Sequence, residues 1–163
     1  MAGLACVTVA PPAWALEGVV VRVSDGDTFW LRTKSDKHPL RVRLHGIDAP
    51  ELCQSGGAEA RQALEALVLG RHVVVRSRAP DRWGRRLAQV LSGKKDVAEQ
   101  LTGQGWAWSD NYRGQPGPYA VSERAARESR RGLFAQPGAV PPRVFRQEHG
   151  PCIGLTPATR SER

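Results

Sequence analysis

The sequence predicts an α+β, mainly β fold: a five-stranded OB-fold barrel with three helices. Two observations predict it. Five β-branched segments bounded by turn residues stand at 17–23, 27–33, 40–45, 71–76 and 85–91. A helix-period segment separates the third from the fourth, and two more follow the fifth, which is the plan of a small closed barrel. The chain of 163 residues, 40% of them hydrophobic, suits one modest core with tails, and no internal repeat is present.

Each element has a local reason. Glu17 to Val23 is valine-rich, Ser24 to Gly26 is a turn, and Asp27 to Thr33 completes a hairpin. After the polar loop 34–39, Leu40 to His45 alternates, with Val42 and Leu44 facing one way and Arg41, Arg43 and His45 the other. Ala60, Ala63, Leu64, Leu67 and Val68 recur at helical spacing within 58–69, and Gly70 stands where a C-terminal cap belongs. Ser77 to Gly84 reads as a turn-rich loop between the last two strands. Asp96 is placed to cap a short helix ending at Thr102. A third helix spans 119–131, with basic residues at 124, 127, 130 and 131. From Pro137 the chain is rich in Pro and Arg and reads as a surface-following segment, with a flexible tail over 147–163.

Lys and Arg number 24 against 16 Asp and Glu, a formal charge of +8. Such a balance favours an anionic partner, nucleic acid first. No apolar run reaches the roughly 18 residues of a membrane span, so no stable membrane association is expected. Residues 1–15 are apolar and Ala-rich, and Ala13-Trp14-Ala15 fits a secretory cleavage site before Leu16, although no Lys or Arg precedes Arg22. The expectation is a signal peptide and a secreted or periplasmic protein. The three cysteines, Cys6, Cys53 and Cys152, lack zinc-site spacing. If Cys6 leaves with the peptide, Cys53 and Cys152 remain, either as a disulfide in an oxidising compartment or as two separate thiols.

The chemistry concentrates in Arg41 to Glu51. A strand carries Arg43, and the turn after Gly46 delivers Asp48 and Glu51 around Ala49-Pro50, where proline fixes the backbone. A second acid pair, Asp25 and Asp27, lies in the first hairpin turn. Each tripeptide alone is an ordinary turn. Together they offer only oxygen donors, which suits a hard cation such as Ca²⁺ better than zinc or copper, beside guanidiniums suited to phosphate.

These residues resemble the thermonuclease (staphylococcal nuclease-like) family. The likeness rests on Asp25-Gly26-Asp27-Thr28, Arg43 through Glu51, Asp81 through Arg85 with Leu87-Ala88, and Gly105-Trp106-Ala107-Trp108. Arg130-Arg131-Gly132-Leu133-Phe134 and the Pro141-Pro142…Phe145-Arg146 segment also match, so it covers roughly 17–146, with the domain set at 16–146. The resemblance implies an OB barrel and a Ca²⁺-dependent endonuclease cleaving phosphodiester bonds of DNA and RNA, single- or double-stranded, to 3′-phosphate products. It implies Asp27, Asp48 and the Ala49 carbonyl as metal ligands, Glu51 as general base, and Arg43 and Arg85 as phosphate-binding residues. Asp25 would support its turn. Trp83 stands where the family's best-known member has a tyrosine beside the nucleotide, and Tyr112 would be a further substrate-stacking residue. The protein is expected to act as a monomer.

Trp106, Trp108 and Trp30 read as packing residues, since buried aromatics are common, and His45 and His72 as structural or exposed. Two rival readings come from other classes. A non-catalytic OB-type module binding nucleic acid or protein would not require all five acid and arginine side chains. A structural Ca²⁺-binding domain leaves Arg43 and Arg85 unexplained.

Overall fold

The computed structural model describes residues 15–81, 84–111, 114–150 and 152. Its centre is a closed barrel of five strands: β1 (Ala15–Val23), β2 (Thr28–Arg32), β3 (Leu40–Leu44), and further along the chain β5 (His72–Pro80) and β6 (Arg86–Ser92). The antiparallel neighbours are β3–β2, β2–β1, β1–β5 and β5–β6, and a parallel pairing of β3 with β6 closes the ring. The expected OB architecture is therefore present. Short pairs decorate it: β4 (Ile47–Asp48) lies antiparallel to β8 (Trp108–Ser109), and β7 (Lys95–Asp96) extends β6.

The alternation of each strand decides what fills the barrel. Phe29, Leu31, Val42, Leu44, Val73, Val75 and Val90 are fully buried inside it, while Arg41 and His45 face outward. α1 (Gly57–Val68) covers the barrel with Ala60, Leu64 and Val68. Gly70 follows it at φ 72°, a left-handed conformation that costs glycine nothing, and its N–H donates to Val20 O at 2.9 Å. α2 (Val97–Gly103) is capped as expected: Asp96 Oδ1 accepts from the N–H groups of Ala98 (2.9 Å) and Glu99 (3.2 Å). Trp108 is buried edge-to-face against Phe134, centroids 5.5 Å apart, a packing role.

The structure departs from the expectation in three places. Residues 77–80 are not loop. β5 runs on to Pro80 because β6 offers it partners as far as Ser77↔Ala88 and Pro80↔Arg86, with a register irregularity between them. α3 is shorter than expected, Ala120–Glu128, because Arg130 adopts φ 49° and turns the chain into a 3₁₀ segment at Gly132–Ala135. Among the described residues there are four α-helices rather than three. The added one, α4 (Pro142–His149), lies in the stretch read only as a surface-following segment rich in Pro and Arg. Proline content misleads there. Pro142 occupies the first helical turn, where its fixed φ and missing N–H are tolerated, and Gly150 follows the last turn at φ 73°.

The open question about the cysteines is answered. Cys53 and Cys152 form a disulfide, 99 residues apart in sequence with Cα atoms 5.8 Å apart.

Candidate active site

The site begins in the β1–β2 turn. Asp27 N–H donates to Asp25 Oδ1 at 3.1 Å, so Asp25 supports the turn as expected. Gly26 is needed for a different reason. A Cβ there would lie 2.7 Å from Ala49 Cβ and 2.9 Å from Ala60 Cβ, so the turn is pressed between the Asp48 segment and α1. Asp27 is 3% exposed, and its Oδ1 accepts from Thr28 Oγ1 at 2.8 Å.

Strand pairing brings the arginine to this acid. Thr28 pairs with Arg43 across β2 and β3, and Leu44 N–H donates to Asp27 O at 2.9 Å. Arg43 then reaches both acids: Nη1 donates to Asp27 Oδ1 (3.1 Å) and Nη2 to Asp48 Oδ1 (2.9 Å), with Nη2 also 3.0 Å from Asp27 Oδ2. Asp48 is held by the β4–β8 pairing opposite Trp108. Ala49 N–H donates to Asp27 Oδ2 at 3.2 Å, which fixes the Ala49 backbone beside that carboxylate. Glu51 follows the buried Pro50. Its N–H donates to Gln54 Oε1 at 3.2 Å, and Gln54 N–H donates to Glu51 O at 2.9 Å, so the turn is closed on itself.

Five of the predicted site residues, Asp27, Arg43, Asp48, Ala49 and Glu51, are thus assembled at one end of the barrel. Arg85 lies where β6 begins, two residues before Leu87, which pairs with Arg43. It is held by Asp81, with Nε–Oδ2 2.8 Å and backbone N–Oδ1 2.9 Å. Trp83 and Tyr112 fall outside the described residues. A cavity of about 430 Å³ adjoins Arg43, lined by His45, Gly46, Leu87, Asp110 and Pro118 among others.

Sequence reasoning assigned no role to Arg146. From α4, Nη1 and Nη2 donate to Asp48 Oδ1 (3.2 Å) and Oδ2 (2.7 Å), and Nη1 donates to Glu51 Oε1 at 2.9 Å. The only signal was its place in the matching Pro-Pro…Phe-Arg segment.

Charge is crowded here. Burial raises the Asp25 pKa to about 7, with the neighbouring Asp27 charge adding to it and the backbone hydrogen bond from Asp27 opposing it. Burial opposes the Arg43 charge, but Asp27, Asp48 and Asp25 outweigh it and its pKa rises. Hydrogen bonding to Asp48, then to Glu51, likewise raises Arg146 against its burial.

One guanidinium spans Asp27 and Asp48, so these carboxylates converge on a single seat for positive charge. Their donors are all hard oxygens, which fits an alkaline-earth cation. No group of three or more His, Cys, Asp and Glu forms a metal cage among the described residues. A cation seated here would have two carboxylates and would complete its shell with carbonyl, water or substrate oxygens.

A small OB barrel with paired acids and an arginine at one end defines the class. Residues 41–136 match the family model for staphylococcal nuclease homologues. The chain is 42% identical to the protein ParB of Escherichia coli over 90% of its own length and 89% of that protein's. It is 35% identical to a micrococcal nuclease of Shigella flexneri, covering 90% of each chain. An uncharacterized endonuclease of Haemophilus influenzae is 33% identical, over 79% of this chain and 72% of that one. This chain belongs to the staphylococcal nuclease homologue family.

Proposed function

We propose that this protein is a Ca²⁺-dependent, sugar-non-specific endonuclease that hydrolyses phosphodiester bonds in DNA and RNA. The observation that carries the reading is the Arg43 guanidinium joining Asp27 to Asp48 beside Glu51, in a chain of this family. Membership of the family supports nuclease activity. The residue roles, the cation and the 3′-phosphate products extend that.

Asp27, Asp48 and the Ala49 carbonyl would hold the cation. When bound, Ca²⁺ supplies charge neutralisation at a phosphate oxygen and an anchor for a water. Glu51, whose turn is closed by contacts of its main chain with Gln54, accepts the proton of the attacking water or orients it. Arg43 and Arg85 donate hydrogen bonds to the phosphoryl oxygens, where negative charge grows as the bond to phosphorus forms. The cavity beside Arg43 offers room for part of a nucleotide. The excess of cations supplies salt-sensitive binding without sequence preference. Export, with cleavage before Leu16, belongs to the same reading. It would leave β1 whole but for Ala15 and place the disulfide in an oxidising compartment.

The test is digestion of supercoiled plasmid and single-stranded RNA with Ca²⁺, with Mg²⁺ and with a chelator, for wild type and Glu51→Gln. The variant is expected to lose on the order of 10²–10⁴-fold in kcat. Near-normal turnover would remove Glu51 from the chemistry. Salt-sensitive binding without cleavage in any metal would favour a non-catalytic module.

A further inference from the structure

The acids of the site share two arginines, and one comes from outside the barrel. Arg146 forks onto Asp48 and shares Nη1 with Glu51, so one planar group fixes the spacing of both carboxylates. Its helix is tied down at both ends. Gln54 Nε2 donates to Val140 O at 2.6 Å just before α4, and Cys152, just after it, is bonded to Cys53. Both anchors lie in the turn that follows Glu51. The Cys53 N–H also donates to Cys152 Sγ at 3.0 Å. The turn bearing Glu51 and the helix bearing Arg146 are therefore one mechanical unit, closed by a covalent bond.

Resting on the nuclease reading, we propose that Arg146 is a positioning residue of the site. It holds Glu51 in place relative to Asp48, it competes with the cation for Asp48, and the Cys53–Cys152 bridge keeps it there. Oδ1 and Oδ2 of Asp48 both accept from Arg146, so a cation that takes an Asp48 oxygen displaces at least part of that fork. The Glu51 contact comes from Nη1 and not from the Nη2 arm on Oδ2, so it can persist when the cation takes Oδ2. The consequences have opposite signs. Removing Arg146 releases Asp48 Oδ2, leaving Oδ1 with Arg43, and so tightens cation binding; it also releases Glu51 and slows turnover. An arginine that merely stabilised the fold would, when removed, weaken both.

The experiment compares wild type with Arg146→Met by NMR shift titration with calcium chloride alone, and by plasmid cleavage kinetics at saturating calcium. Calcium affinity is expected to rise on the order of 10-fold as the charge-assisted fork is lost. In the same variant kcat falls by about 10–10²-fold with a smaller change in KM. Arg146→Lys, a single ammonium that cannot fork, should return calcium affinity toward wild type without restoring kcat. Unchanged or weaker calcium affinity in a folded Arg146→Met overturns the proposal, as does unchanged kcat. If that variant does not fold, Cys152→Ser must show the same opposed pair of effects, and a loss of thermal stability alone overturns it. A wild type that neither binds calcium nor cleaves overturns the nuclease reading together with this one. An active wild type indistinguishable from the variant overturns this one alone.

Discussion

Arg43 Nη1 meets Asp27 Oδ1 at 3.1 Å, and Asp27 is almost wholly buried. A buried carboxylate deprived of its cationic partner is costly, about 3–5 kcal/mol when a pair is broken from one side. Arg43 retains 22% exposure, and Thr28 and Ala49 still donate to Asp27, so the loss for Arg43→Ala should fall at or below that range. Calcium should recover part of it by ligand linkage. Urea unfolding with and without calcium measures both. An unfolding midpoint equal to wild type in chelator would show that Asp27 does not depend on Arg43.

Arg85 is expected to behave differently, because its described ion pair is with Asp81, which holds it at the start of β6. Arg85→Ala should lower kcat on the order of 10²–10³-fold, by analogy with loss of an oxyanion donor, and leave calcium affinity near wild type. Single-turnover cleavage with a parallel calcium titration separates the two effects. A large fall in calcium affinity would place Arg85 among the groups that organise the metal seat.

What was legible in the sequence was local. The alternation of Val42 and Leu44 against Arg41 and Arg43 gives the strand and the face on which Arg43 stands. Asp96 announces its helix because a cap satisfies N–H groups two and three residues away. Asp27, Asp48 and Glu51 could be singled out since turns carry them and their chemistry is specific. Arg146 had no role in that reading because its partners lie 98 and 95 residues earlier in the chain. α4 was not expected for a related cause: Pro141-Pro142 gives no helix signal of its own, while the disulfide and the ion pairs that hold the helix are long-range. The extension of β5 to Pro80 depends on β6 and on no preference of residues 77–80.

The Cys53–Cys152 bridge closes a long loop, and loop closure stabilises mainly by restricting the unfolded chain. Replacing both cysteines with alanine should lower stability by up to about 4–5 kcal/mol in that account. Thermal unfolding with and without reductant should show the same drop in wild type and no reductant effect in the double variant. Insensitivity of the wild type to reductant, with complete thiol release confirmed by mass, would assign the bridge no stabilising role.

Gly26 has no room for a side chain. Its added Cβ would crowd Ala49 and Ala60, and the turn would have to move away from α1 or from the Asp48 segment. Gly26→Ala should cost about 1–3 kcal/mol, as overpacking does. Because Asp27 is the next residue, it should also weaken calcium binding. Ala60→Gly in the same chain opens space on one side only, so partial recovery of calcium affinity in the double variant would identify the helix side as the obstacle. A wild-type calcium affinity for Gly26→Ala would show that the turn and the metal seat are independent.

Asp25 should give the metal-free protein a pH-dependent stability. Burial raises its pKa from an ordinary 3.8 to about 7 in the folded state. The folded protein therefore holds a proton that the unfolded chain releases, and the unfolded state gains on the folded one as pH climbs through that window. The stability involved is fully present below about pH 4 and is gone above about pH 7. Asn at this position cannot ionise, yet its carbonyl oxygen can still accept the Asp27 N–H and its amide can donate to the Asp27 carboxylate. Asp25→Asn in chelator should match wild type near pH 4 and exceed it increasingly toward pH 8, read from urea midpoints across the range. Calcium should narrow that gap at neutral pH, since a cation on Asp27 removes part of the repulsion that keeps Asp25 protonated. Parallel stability profiles for the two proteins would mean that Asp25 ionises as it does in the unfolded chain.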